Sequence, residues 1–238
     1  MNVIIPMAGK GKRFVDAGYS FPKPLIDVNG KPMIQVIVEN LNLDANHIFI
    51  CQKKHVKQYA INDLINLIKP NSKILSINKI TRGAAETVLS AKDYINNNDE
   101  LIIANSDQWI NWNNDHFLSF IRKKKADGGI LSFTSTHPKW SYVRIDEDGL
   151  VKEVAEKRPI SNVATVGIYY FKHGKDFVNF AEQMILKNIR TNNEFYVAPC
   201  YNEMIQHGKK IYVYPVSEMR GLGTPEDLRV FQSFPPTL

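Results

Sequence analysis

Along the first half of the chain, short apolar runs alternate with stretches of helical period. Residues 3–7 are apolar on both faces, as a buried parallel strand is. Residues 8–24 read as loop, and a helix is predicted from Gly30-Lys31-Pro32 to Leu41, with the proline near its first turn. Strands over 47–52, 73–77 and 101–104 alternate with helices over 55–68 and 84–94. In the first of these helices Val56, Tyr59, Ala60, Leu64 and Leu67 mark one face. Strand and helix in alternation predict a parallel sheet with crossover helices.

The pattern then changes. A helix is predicted over 115–125 and a strand over 129–134. Strands at 142–145 and 151–154 flank Asp146-Glu147-Asp148-Gly149, a hairpin turn by composition. A strand follows at 163–171, helices at 176–189 and 195–206, and a strand at 211–216. Thr224-Pro225-Glu226-Asp227 opens a last helix, with a capping threonine, a proline at the first position and two acids at the dipole. We read residues 1–238 as one domain of two lobes, residues 1–128 and residues 129–238.

Composition narrows the function classes. A chain of 238 residues with 44% hydrophobic and 23% charged residues is neither disordered nor membrane-spanning, since no apolar run nears the ~20 residues a bilayer requires. Without a charged, apolar leader the expected location is cytoplasmic. Cys51 and Cys200 have no C-x-x-C partner and read as buried thiols. The six histidines lack metal-ligand spacing, and no serine sits in a nucleophile elbow. The net charge of +6 suits an anionic partner. Arg122-Lys123-Lys124-Lys125 sits at a helix end, where cations are favourable, and no interleaving of basic and aromatic residues marks a nucleic-acid platform. The expected partners are therefore small anions, with no nucleic acid and no membrane; a homo-oligomer is compatible.

Chemistry concentrates near the start. Ala8-Gly9-Lys10-Gly11-Lys12-Arg13 directly follows a strand. The third glycine of a dinucleotide-binding fingerprint is missing, and no P-loop pattern fits. Small residues let backbone N–H groups approach phosphate, while Lys12 and Arg13 add charge. Pro22-Lys23-Pro24-Leu25 holds one lysine between two prolines, which fixes the backbone where a cation is aimed. Asp107 follows a buried strand, and a carboxylate at a parallel strand's C-terminal end points into the ligand crevice.

Taken together these stretches resemble the sugar-1-phosphate nucleotidyltransferases, whose relatives include glucose-1-phosphate thymidylyltransferase and phosphocholine cytidylyltransferase. The signature of a strand, A-G-x-G-x-R and P-K-P-L is continued by Gly30-Lys31-Pro32-Met33-Ile34. The resemblance implies a Rossmann-like three-layer α/β/α fold of the nucleotide-diphospho-sugar transferase (GT-A-like) kind, with a mixed, mainly parallel sheet. It implies that Ala8, Gly9, Gly11, Lys12 and Arg13 wrap the phosphates of a nucleoside triphosphate. Gly83 and Ala84 would sit at the base, with Asn78 facing it. Lys23 would hold the acceptor's phosphate or bridge to the α-phosphate, and Asp107 would hold Mg²⁺. Glu156 and Lys157, in Glu156-Lys157-Arg158-Pro159, together with Gly167 and Glu194 would meet the acceptor. Arg13, Lys23 and Asp107 are thus the expected catalytic set. The implied reaction joins a nucleotide to a phosphorylated acceptor for capsule or cell-surface polysaccharide biosynthesis, with CTP favoured over UTP or dTTP.

Two departures qualify this. A second metal-contacting aspartate, usual two residues before a C-terminal Gly-Thr in such proteins, is replaced by Gly221, and Glu226 and Asp227 nearby read as helix-capping acids. Trp140-Ser141-Tyr142 stands where hexose-phosphate enzymes place Tyr-Gly, which disfavours a plain hexose and leaves polyol, phosphocholine-like or phosphoglutamine-like acceptors. Two other classes remain: a nucleotide-sugar-dependent glycosyltransferase, for which Ser106-Asp107-Gln108 lacks one acid of a D-x-D, and a non-catalytic nucleotide-binding module.

Overall fold

The computed structural model describes residues 1–236. In chain order its elements begin with β1 (Asn2–Pro6), α1 (Lys12–Asp16), a 3-10 turn at Lys23–Leu25, β2 (Asp27–Val28), β3 (Lys31–Pro32) and α2 (Met33–Leu41). Then come β4 (Asn46–Gln52), α3 (Lys53–Gln58), α4 (Ile61–Ile68), β5 (Lys73–Ile77), α5 (Ala84–Leu89), α6 (Lys92–Ile95), β6 (Leu101–Ala104) and β7 (Gln108–Asn111). The second half holds α7 (Asn114–Lys123), β8 (Gly128–Thr134), β9 (Ser141–Ile145), β10 (Val151–Glu156) and β11 (Val163–Phe171). It closes with α8 (Gly174–Leu186), α9 (Cys200–Gln206), β12 (Ile211–Pro215), β13 (Glu218–Gly221) and α10 (Pro225–Ser233).

The main sheet runs β10-β9-β11-β6-β1-β4-β5, and β8 joins it to β12 through β11. β1 pairs in parallel with β4 and β6, and β4 with β5. β11 runs antiparallel to β6, β8 and β9. By direction only β11 and β10 oppose the other strands, so the sheet is mixed and mainly parallel. The expected lobes share this sheet, because β11 of the second half pairs with β6 of the first.

Strand alternation divides the core in two. Val3 and Ile5 face one layer with Ile37 of α2, Ile65 of α4, Phe117 of α7 and Phe231 of α10. Ile4 and Ile103 face the other with Val88 of α5, Phe177 of α8 and Tyr201 of α9. Each such side chain contributes roughly 1.5–3 kcal/mol by leaving water, so the three-layer α/β/α arrangement follows from the strands' period of two.

Local chemistry shifted several expected elements. The 55–68 helix is broken between α3 and α4, where Ala60 adopts a left-handed φ of 49°. The 84–94 helix breaks near Ser90, whose hydroxyl donates to the Thr87 carbonyl at 2.6 Å and competes with the helical ladder. The helix expected from 195 starts only at Cys200, after Pro199, because a residue before proline is pushed away from the helical region. Residues 8–24 contain a short helix, α1. Lys31 and Pro32 pair with Asp27 and Val28 across Asn29-Gly30, both at positive φ, so α2 begins at Met33.

Candidate active site

The glycine loop leaves β1 at the sheet's centre, where parallel strands present their C-terminal ends to a ligand. Its carbonyls are taken up from the sheet side: Gln52 Nε2 donates to Ala8 O and Gly9 O, each at 2.9 Å. Gly11 has a left-handed φ of 62°, and a Cβ there would come 3.3 Å from Lys23 Cβ. Glycine therefore lets the loop close onto the proline-flanked lysine. Pro24 is buried and anchors that turn.

Lys23 reaches across the cleft to Asp107, with Nζ 2.5 Å from Oδ2 and both side chains about one-fifth exposed. Asp107 is held from behind, since its carbonyl accepts from Leu222 N–H at 2.7 Å. Gly83 sits at φ 141°, and a Cβ on it would lie 2.5 Å from Phe195 N. The two loops are sealed by Phe195 N–H to Arg82 O at 2.7 Å and Ala85 N–H to Phe195 O at 3.0 Å.

These residues line two adjoining cavities. The larger, about 700 Å³, is walled by Ala8, Gly9, Gly11, Lys12, Arg13, Lys23, Gly83, Ala84, Asp107 and Glu194. The smaller, about 230 Å³, is walled by Glu156, Lys157 and Gly167 together with Asn105, Gln108, Lys139, Trp140, Tyr196 and Asp227. Arg13, Ala84, Asp107 and Gly223 border both.

In the smaller cavity Ser141 Oγ donates to the Glu156 carboxylate. Burial raises the Glu156 pKa, against the lowering effect of Ser141 and Lys157. Lys157, at a left-handed φ of 54°, donates to the Tyr196 hydroxyl. Burial and the Glu194 carboxylate raise the Tyr196 phenol. Gly167 has φ 79° and lies where the β11–β8 register shifts, and a Cβ there would collide with the amides of Gln108 and Asn105. The Gln108 Oε1 is buried without a hydrogen-bond partner.

Some expected placements changed. Asn78, expected at the base, instead lines a separate cavity of about 310 Å³ with Gln52, Lys53, Lys54, Lys57 and Lys79. It follows edge strand β5, and the wall of the main cleft is taken up two residues later, by Ile80, Thr81, Arg82 and Gly83. Glu194, expected at the acceptor, lines the larger cavity beside Asn192 and Asn193. The cap of α10 is made by Thr224 Oγ1, which accepts from Asp227 N–H at 3.1 Å. The Asp227 carboxylate does no capping and pairs with Lys139 at 2.9 Å. Glu226 is exposed and pairs with Arg229. Gln108, Lys139 and Tyr196 carry no motif and were missed. Gln108 adjoins Asp107 in sequence, and that adjacency was the one available signal.

Among the described residues no group of three or more His, Cys, Asp or Glu could hold a metal. The donor set nevertheless fits Mg²⁺, a hard cation that commonly takes one or two carboxylates and completes its shell with phosphate and water. Asp107 supplies such a carboxylate on the border of both cavities.

A cationic glycine loop at parallel strand ends, faced by an aspartate, defines an α/β protein built to handle phosphate esters. The family is given by direct comparison: residues 2–234 match the nucleotidyl transferase family model, and the chain belongs to that family of enzymes. The bifunctional protein GlmU of Methanocaldococcus jannaschii is 30% identical over 175 residues, which cover 72% of this chain and 40% of that protein. The chain thus spans about two-fifths of the length of that relative. A nucleoside-diphosphate-sugar pyrophosphorylase from Vibrio cholerae superposes with TM-score 0.82 at 23% identity, covering 97% of this chain and 99% of that one. An inositol-1-phosphate CTP transferase from T. maritima superposes with TM-score 0.74 at 10% identity, covering 100% and 98%. Both share the fold. No helix among the described residues is long and apolar enough to cross a membrane.

Proposed function

We propose that this protein joins a nucleoside triphosphate to a small phosphorylated acceptor and releases pyrophosphate, with CTP favoured over UTP or dTTP. The observation that carries this reading is the pair of cavities that meet at Arg13 and Asp107. About 700 Å³ suits a nucleotide, with the glycine loop and Lys12 at its phosphates. About 230 Å³ suits a compact acceptor whose phosphate lies at the shared border.

An acceptor phosphate oxygen attacks the α-phosphorus in line. The bond from the α-phosphorus to the bridging oxygen breaks, and pyrophosphate leaves with that electron pair. No protein nucleophile takes part; the chain contributes position and charge. Lys23 and Arg13 draw together two anions that otherwise repel, and Lys157 holds the acceptor. When bound at Asp107, Mg²⁺ neutralises charge on the phosphate oxygens.

The acceptor cavity carries both signs, Glu156 and Asp227 against Lys139 and Lys157, beside Trp140 and Tyr196. Lys139 Nζ already lies 4.6 Å from the Trp140 ring centre, so that ring face accepts a cation. This lining favours a phosphocholine-like or phosphoglutamine-like acceptor, which has a charge besides its phosphate, over a plain hexose phosphate. The activated product would serve cell-surface polysaccharide assembly, the use implied by the resemblance.

The test is pyrophosphate release from each of CTP, UTP, dTTP, ATP and GTP with a panel of phosphorylated acceptors. Release that requires both a pyrimidine triphosphate and an acceptor is expected. No release with any pair would point to a binding module, and sugar transfer from a nucleotide sugar without pyrophosphate would point to a glycosyltransferase.

A further inference from the structure

Three carboxylates among the described residues line the smaller cavity: Asp107, Glu156 and Asp227. The chain itself neutralises two of them, Asp107 with Lys23 and Asp227 with Lys139. Glu156 pairs with no cation among the described residues. Its Oε2 accepts from the neutral Ser141 hydroxyl, and its Oε1 accepts from no described residue. That second oxygen is not sealed in the protein interior, so it is open to the cavity that Glu156 lines.

Lys157 follows Glu156 directly in the chain yet does not pair with it. The left-handed turn at Lys157 carries its ammonium to the Tyr196 hydroxyl, 4.6 Å from that ring's centre. Burial opposes the charge on Glu156, and the Glu194 carboxylate repels it. A carboxylate so placed is held at a cost until a cation reaches it. A hydroxyl of the acceptor would fill a lone pair but leave the charge unbalanced. An ammonium with N–H groups does both, through a charge-assisted hydrogen bond. A quaternary ammonium brings charge without a donor, and an aromatic face suits it better than a carboxylate oxygen does.

We infer that the acceptor carries a protonated amine that donates an N–H to Glu156 Oε1, so that Glu156 selects amine-bearing phosphates over hydroxyl-bearing and quaternary ones. Of the charged acceptors proposed above, this keeps those with an N–H and sets aside phosphocholine itself. It rests on the reading of the smaller cavity as the acceptor's site. Two matched pairs of compounds test it. Phosphoethanolamine against phosphocholine removes the N–H groups and keeps the charge; glucosamine 1-phosphate against glucose 1-phosphate exchanges an amine for a hydroxyl. Dissociation constants from ligand-detected NMR on the full-length protein require no turnover. In at least one pair the amine should bind about tenfold or more tightly than its partner, the size of one hydrogen bond to a charged group. Glu156→Gln should shrink that preference to about twofold or less, because the amide offers a neutral acceptor in place of a charged one. Glutamine keeps the shape and can still accept from Ser141, so a merely structural role for Glu156 would leave the preference intact. Equal binding within both pairs, no binding of either amine, or a preference that survives Glu156→Gln overturns the inference. The wild-type comparison stands should the variant fail to fold. Pyrophosphate release from CTP with the same four compounds, run alongside the wider panel, separates the two readings. Amine-selective binding with no release from any nucleotide and acceptor overturns the proposed reaction and leaves the inference. Release that is indifferent to the amine overturns the inference and leaves the reaction.

Discussion

Replacing Lys23 with alanine separates its role in the fold from its role in the reaction. Its ammonium lies 2.5 Å from Asp107 Oδ2, with side chains 21% and 20% exposed. Two unit charges at 4 Å attract by roughly 4 kcal/mol at an effective dielectric of 20. Desolvation and the ordering of a long side chain offset most of this in a pair still reached by water. The net loss of stability should be about 1–2 kcal/mol. For a chain of this size that lowers Tm by about 2–8 °C. Loss of one preorganised charge at the reacting phosphate lowers kcat by about 10²–10³-fold, or about 3–4 kcal/mol. The two effects differ enough to separate. Pyrophosphate release measures turnover, and a circular dichroism melt measures folding on the same sample. The variant should lose kcat more than KM, since its contribution grows towards the transition state. A kcat within about fivefold of the wild type would refute the assignment of Lys23 to the reacting phosphate. So would a deficit that vanishes after normalising to folded protein.

Two further substitutions test the site's framework. Gly83→Ala places a Cβ 2.5 Å from Phe195 N at φ 141°, so it should break the seal between the two loops. It should destabilise the chain by about 2–3 kcal/mol, as strained backbone and overpacking do; a Tm within 1–2 °C of the wild type, on the order of ordinary surface substitutions, would contradict this. Burial raises the Glu156 pKa above its ordinary value of 4.5, so the folded chain holds that proton more tightly than the unfolded one. This stabilisation is full below the ordinary pKa and is lost as pH rises through the raised one. Glu156→Gln keeps the site neutral and can still accept from Ser141. Its Tm relative to the wild type should therefore climb as pH is raised from below 4.5 through neutrality, and a flat or falling difference would show that the carboxylate is not held at an electrostatic cost.

Much of this protein was legible in one dimension, because the physics there is local. An apolar run such as residues 3–7 must be buried, and β1 is. The strands at 73–77, 101–104 and 163–171 match their predicted bounds, since β-branched and aromatic runs leave the backbone little choice. Thr224-Pro225 starts a helix wherever it falls, and Gly11 and Gly83 take conformations that other residues resist. Ala8–Arg13, Lys23 and Asp107 could be nominated for the same reason: strand ends and glycines show where backbone meets ligand.

Pairings across the chain were not legible. Lys139 and Asp227 stand 88 residues apart, and no pattern at either position foretells that they meet. The same holds for β7 pairing with β13, which sets Gln108 beside Gly221. Asn78 looked well placed by its distance from Gly83, yet the edge position of β5 carries it to another cavity. The acids of α10 looked alike in the sequence. Packing sent the Asp227 carboxylate into the site and left Glu226 in water, because a helix shows one face to the core and the other to solvent.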